Sequence, residues 1–277
     1  MIKIITDSTA YIPEEYIKEN DIVVLPLTVT LNEEEFLDND TSRYQEFYQK
    51  VEASKSSPQT SQPNINLITK AFQKVIDDNN EAIVLSISNT LSGTVNTLNF
   101  VKNEIDKNNQ ITVIDSGTVA QTMFCYIKDA VEMIKQNKSR EEITKHLYDL
   151  QENSALNFIP ENLEALKRGG RIGKLNFIIG NILHIKPILS FKKGVLSCVK
   201  KVIGIKSAMS NIVKSIPKKV KEIVVLKISK SEYFEEFKNI IKTAYPNVPI
   251  SEGDVGPVVG THVGKAIGIS CIAEKVA

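Results

Sequence analysis

Short β-branched runs alternate with longer amphipathic stretches through the first half of the chain. Residues 2–6, 21–26, 81–88 and 111–115 are brief apolar runs closed by a turn or polar residue, the pattern of strands buried on both faces. Residues 65–78, 94–106 and 120–136 carry apolar side chains at helical spacing. Strands alternating with helices predict a parallel sheet covered on both sides. One excursion interrupts the alternation, a β-hairpin near 28–37 that turns through Asn32–Glu33–Glu34–Glu35.

The second half reads differently. A strand over 156–160 leads to a helix ended by Gly169–Gly170, and strands over 187–191 and 195–199 flank the turn Lys192–Lys193–Gly194. A helix over 206–215, a strand over 223–228, a helix over 233–244 and strands over 248–252 and 267–273 follow. The expected fold is α/β. An N-terminal three-layer α/β/α domain with a parallel sheet covers 1–154, and a C-terminal two-layer α+β domain with a mixed sheet covers 155–277. A length of 277 residues suits two domains.

Charge sharpens that division. Residues 1–154 hold 14 Lys and Arg against 24 Asp and Glu, a balance of −10, whereas residues 155–277 hold 20 against 9, a balance of +11. Such asymmetry suits either the docking of the halves on each other or an anionic partner. The lysines are dispersed and tryptophan is absent, which argues against nucleic acid. No apolar run reaches 18 residues, and Asp7 stands where a signal peptide would have its apolar core, so a cytoplasmic protein is expected. Cys125, Cys198 and Cys271 are scattered, as are His146, His184 and His262, which supports neither a disulfide framework nor a metal site. No cofactor is expected.

Familiar enzyme motifs fail. Gly173–Lys174 has Arg168 where a phosphate loop needs its leading glycine, and Gly264–Lys265 has Val259 there and Ala266 after the lysine. No G-x-G-x-x-G follows the first strand, and no serine has the glycines of a nucleophile elbow.

What remains is three loop segments rich in hydroxyls and glycine. Thr60–Ser61–Gln62–Pro63 precedes a helix with Asn64 or Asn66 as its cap. Ser88–Asn89–Thr90–Leu91–Ser92–Gly93–Thr94 leaves the carboxyl end of a strand, where open α/β sheets bind ligands. Thr261–His262–Val263–Gly264 lies between the last two strands. Each taken alone also reads as turn and cap chemistry.

Taken in order, these segments resemble the DegV family, whose members bind fatty acids. The resemblance starts at Ile4–Ile5–Thr6–Asp7–Ser8–Thr9–Ala10 and passes through Val24–Leu25–Pro26–Leu27, Thr60–Ser61–Gln62–Pro63, Leu91–Ser92–Gly93–Thr94 and Asp115–Ser116. It continues with Leu166–Lys167–Arg168–Gly169–Gly170–Arg171–Ile172 and Gly253–Asp254, and ends with Gly260–Thr261–His262–Val263–Gly264. The family pattern usually continues Pro-Gly, where this chain has Lys265–Ala266. The resemblance implies a carrier that holds a long-chain fatty acid between two domains while a partner fatty acid kinase phosphorylates its carboxylate. By motif matching, Thr60, Ser92 and His262 hold the carboxylate. Ser61, Gly93, Thr94, Arg168 and Arg171 then lie at the ligand mouth or meet the partner, with an anionic membrane surface as a transient contact.

The chemistry suits that assignment. A buried carboxylate needs donors to replace its water, and two hydroxyls, an imidazole and the free amides of a helix start supply them. A rival reading takes Ser92 as the nucleophile and His262 as the base of a hydrolase or acyltransferase, with Asp7, Asp115 or Asp254 as the orienting acid.

Overall fold

The computed structural model describes residues 1–173, 175 and 185–273. Lys174 and His184, named above, lie outside them. The first sheet has β1 (Ile2–Asp7) between β2 (Val23–Leu25) and β6 (Glu81–Ser86), with β7 (Ile111–Asp115) beyond β6, all parallel. Strand side chains alternate between faces. One face gives Ile5, Ala82, Val84 and Ile111 to α3 (Ile65–Asp77) and α4 (Thr94–Ile105). The other gives Ile4, Ile83, Leu85 and Ile114 to α5 (Gln121–Lys135) and α6 (Arg140–Glu152). This is the expected three-layer arrangement. Helix α6 was not anticipated, although Ser139 and Glu142 form a capping box at its start.

The second sheet joins β8 (Ser154–Pro160), β9 (Ile185–Lys192), β10 (Val195–Ile203), β11 (Val220–Ile228), β12 (Ile250–Asp254) and β13 (Ala266–Ala273) in the order β10-β9-β8-β13-β11-β12. It is mixed, because β11–β12 is parallel and the other pairs are antiparallel. Ile223 and Val225 face α8 (Ile205–Ser215) and α9 (Phe234–Ala244). Val224, Leu226 and Ile228 point the opposite way and join Ile4 and Leu85 in one apolar cluster. The second sheet therefore packs its inner face against the first half of the chain. The boundary expected at 154 lies at the first residue of β8.

The excursion is larger than a hairpin. Strands β3 (Thr28–Leu31) and β4 (Glu34–Leu37) turn through Asn32 and Glu33, both with left-handed φ, and β5 (Gln59–Ser61) pairs along the other side of β3. Thr60 therefore sits on a strand opposite Val29, not in a loop. Helix α2 (Tyr44–Ala53) covers this small sheet through Phe47, packed on Val29, Leu31 and Phe36. Among the described residues the remaining α-helices are the short α1 (Glu14–Glu19), α7 (Glu164–Arg168) and α10 (Pro257–Val263). His262 likewise belongs to a helix, α10, and not to the loop the sequence suggested.

Candidate functional site

A cavity of about 380 Å3 opens between the two sheets. Leu27, Ile87 and Val119 wall it from the first half, and Leu156, Phe158, Phe191, Leu196 and Leu226 from the second sheet. Val258, Val259 and Val263 add one face of α10. The volume falls in the range of about 300–1,000 Å3 usual for small-molecule sites, and such sites are apolar with a few placed polar groups. Here Thr60, Ser61, Gln62, Ser92, Gly93, Arg171 and His262 reach the lining.

Those polar groups are held by separate local devices. Pairing of β5 with β3 fixes Thr60, and Asn64 caps α3 just beyond by accepting from Asn66 N–H at 2.8 Å. Residues 88–94 leave the end of β6, and Ser92 Oγ and Thr94 Oγ1 lie 2.8 Å apart at the start of α4. The end of Gln62 lies against Gly93, with Nε2 2.7 Å from where a Cβ would be. Gln62 Oε1 accepts in turn from Thr97 Oγ1 at 2.6 Å.

His262 joins the halves. Its Nε2 lies 2.7 Å from Thr60 Oγ1, a hydrogen bond spanning 202 residues of sequence. Among the described residues its buried Nδ1 has no hydrogen-bond partner. Burial, and secondarily the Arg171 guanidinium nearby, pushes the imidazole down to about 4, so the ring is neutral at physiological pH. Arg171 is half-buried. Its Nε donates to Leu91 O at 3.1 Å and its Nη1 to Gly169 O at 2.6 Å, tying the end of α7 to the 88–94 segment.

The structure thus brings Thr60, Ser61, Ser92, Gly93, Arg171 and His262 to one cavity. Thr94 is buried behind Ser92 and does not line it, and Arg168 is exposed and also outside the lining. Sequence reading overlooked Gln62, although it stands inside the Thr60–Ser61–Gln62–Pro63 segment. It read Gly169 as a helix end and a motif position, and its contact with His262, 93 positions away, had no sequence signal. Lys265, in place of the family's proline, pairs with Glu52 of α2 at 2.8 Å, and Ala266 is buried in the cavity wall.

The hydrolase constellation is not assembled. Ser92 Oγ meets Thr94 and His262 Nε2 meets Thr60, rather than each other. Asp7 is buried and accepts from Thr9, Ser86 and Ile87. Asp115 accepts from Asn89 and Gly117 N–H groups, and Asp254 lies 3.5 Å from Lys227.

A family model described as "uncharacterised protein, DegV family" matches residues 1–274. A DegV domain-containing protein of Staphylococcus aureus is 32% identical over 272 residues, 96% of each chain. Among solved structures, DegV, a fatty acid binding protein from Bacillus subtilis, is 28% identical and superposes with a TM-score of 0.83 over 99% of both chains. A fatty-acid-binding DegV family protein from Thermus thermophilus is 25% identical, with a TM-score of 0.88 over 99% of both chains. The chain belongs to the DegV family.

Proposed function

We propose that this protein binds a long-chain fatty acid in the cavity, its carboxylate held by Thr60, Ser92 and His262 and its chain running along the apolar walls. The observation that carries the reading is the Thr60–His262 contact, a polar bridge between the halves at the polar end of a cavity whose walls are mostly apolar. The binding described for the Bacillus subtilis and Thermus thermophilus relatives supports it. The energetics agree: at about 0.8 kcal/mol per buried CH2, an acyl chain of about fourteen methylenes gives roughly 11 kcal/mol before binding costs. Hydroxyls and a neutral imidazole can hold a carboxylate without forming an ion pair, which leaves the carboxylate oxygens reactive toward a phosphoryl donor.

On this reading the protein is a cytoplasmic carrier rather than an enzyme. A fatty acid kinase is its partner, and an anionic membrane surface is where it collects ligand. Ser61, Gly93 and Arg171 border the carboxylate, while Arg168 meets the partner or the lipid headgroups. Among the described residues no helix is long and apolar enough to cross a membrane. The test is organic extraction of the purified protein with mass spectrometry, followed by calorimetric titration with palmitate. Co-purified fatty acid and saturable binding are expected. A protein that carries no lipid and gives no heat with any fatty acid, yet turns over a generic ester, belongs to the rival class.

A further inference from the structure

Helix α10 is weak by sequence. Its seven residues include Gly260 and three valines, all poor helix formers, so what holds it lies in its surroundings. The amides of its first turn are taken by side chains from the first half of the chain. Val258 N–H donates to Asp38 Oδ1 at 2.8 Å, and Val259 N–H donates to the Tyr11 hydroxyl at 3.2 Å. The Tyr48 hydroxyl lies 2.9 Å from Val255 O and 3.0 Å from Gly256 O, and its ring fills the space a side chain at Gly260 would need.

Asp38 has 0% exposure. Its Oδ2 accepts from Ser8 Oγ at 3.0 Å, and Ser8 Oγ accepts from Leu27 N–H at 3.0 Å. One carboxyl therefore ties the turn after β1 and the segment entering β3 to α10. A buried acid is an expensive way to gain stability, since apolar residues of similar volume often serve as well. What it adds is a fixed place for α10. His262 follows Val258 by four residues, about 6 Å along the axis.

We propose that Asp38, with Tyr11 beside it, is the positioning group for His262: it seats α10 against the first half so that the ring meets Thr60 and faces the ligand's carboxylate. The last clause rests on the proposed function; the seating of the ring does not. Asp7, Tyr11, Tyr44 and Tyr48 are the titratable groups whose fields couple to the Asp38 carboxyl. Its capping bond survives titration. When ionised, the carboxylate accepts from both donors. When protonated, it keeps Oδ1 for Val258 N–H and gives its proton to Ser8 Oγ. An asparagine presents the same pair of groups, whereas a leucine presents neither.

The experiment is an NMR titration of 15N-histidine-labelled protein, with the His262 signal identified by its loss in His262→Gln. Calorimetry with palmitate and with methyl palmitate runs in parallel. The wild-type ring should titrate near 4. In Asp38→Leu it should move toward the ordinary value of about 6.5, and the preference for the acid over the ester should fall roughly tenfold. Asp38→Asn should keep both properties, and Tyr11→Phe should shift both in the same direction by less. A folded Asp38→Leu with an unchanged ring titration overturns the proposal, whatever its affinity. Should that variant not fold, Tyr11→Phe decides, and an unchanged ring and preference there overturn it. A shifted ring with an unchanged preference overturns instead the reading of His262 as a carboxylate ligand, while the seating of the ring by Asp38 stands.

Discussion

Gly169 makes room for His262: a Cβ built at position 169 would lie 2.2 Å from the ring's Nδ1. The backbone at Gly169 is right-handed helical, with φ −73°, so alanine fits its conformation; the ring is the main obstacle, with Ala165 O next at 3.2 Å. Gly169→Ala should therefore displace the imidazole and weaken palmitate binding by about tenfold, the worth of one lost hydrogen bond to a buried charge. Gly93→Ala is the control. Its Cβ would meet only the far end of Gln62, a flexible side chain, so titration should show a much smaller loss. Equal affinities in the two variants would argue that the ring's place does not matter.

Removing the polar groups themselves should cost more than removing their neighbours. Ser92→Ala and His262→Ala are each expected to weaken fatty-acid binding by about 1–3 kcal/mol, the penalty of a buried carboxylate left short of a donor. The Ser92→Ala melt should stay close to wild type, because the Ser92 hydroxyl bonds only locally to Thr94. Thr60→Val should fall between these and wild type, since its hydroxyl orients His262 Nε2. Normal binding in both Ser92→Ala and His262→Ala would remove these residues from the site.

Two buried groups give stability opposing pH dependences. His262 is depressed to about 4 from 6.5, so the unfolded chain takes up its proton first and stability falls as pH drops from 6.5 to about 4. Asp38 is raised to about 8 from 3.8 by burial, so the folded chain holds its proton longer and stability falls as pH rises across that interval. Asp7, also raised by burial, acts in the same direction as Asp38. Each group contributes a slope of up to about 1.4 kcal/mol per pH unit. Between about 4 and 6.5 the slopes of His262 and Asp38 oppose each other, and from 6.5 to about 8 that of Asp38 acts without His262. Relative to wild type, urea melts of His262→Gln should therefore show stability rising more steeply on acidification between 6.5 and about 4, and those of Asp38→Asn should show that rise reduced. Parallel curves for wild type and both variants would contradict the assigned burial costs.

The two arginines should separate experimentally. Arg168 is exposed, whereas Arg171 binds two carbonyls beside the cavity. Arg168→Ala should slow ligand exchange with vesicles containing anionic lipid at low salt, with the deficit shrinking as salt rises, and should leave palmitate affinity unchanged. Arg171→Ala should raise the His262 titration midpoint by removing a nearby cation, and should loosen the 88–94 segment. An exchange rate equal to wild type at low salt in Arg168→Ala would leave that arginine without a part in lipid contact.

The sequence made the sheets legible because their strands carry the signal themselves. Residues 111–115 were read to the residue, and α3, α4 and α5 to within one residue at either end. What escaped was structure made by contact. β5 is Gln–Thr–Ser, a strand only because β3 offers it a partner. α10 is valine and glycine, helical because Asp38, Tyr11 and Tyr48 hold it. Asp38 itself stands among Glu33, Glu34, Glu35 and Asp40, where an acid reads as one more solvated charge. The three motif residues at the cavity came from family likeness. No spacing rule links Thr60 to His262 across 202 positions.

The cavity also bears on how long the molecule lasts. Its walls belong to the same apolar cluster that joins the two sheets, so an acyl chain bound there supplies atoms that the core would otherwise lack. Ligand that binds only the folded chain raises its stability by mass action, and proteases acting on opened molecules follow that stability. On the proposed reading the lifetime of the protein would then follow the supply of its ligand, longer when lipid is bound and shorter when the cavity is empty.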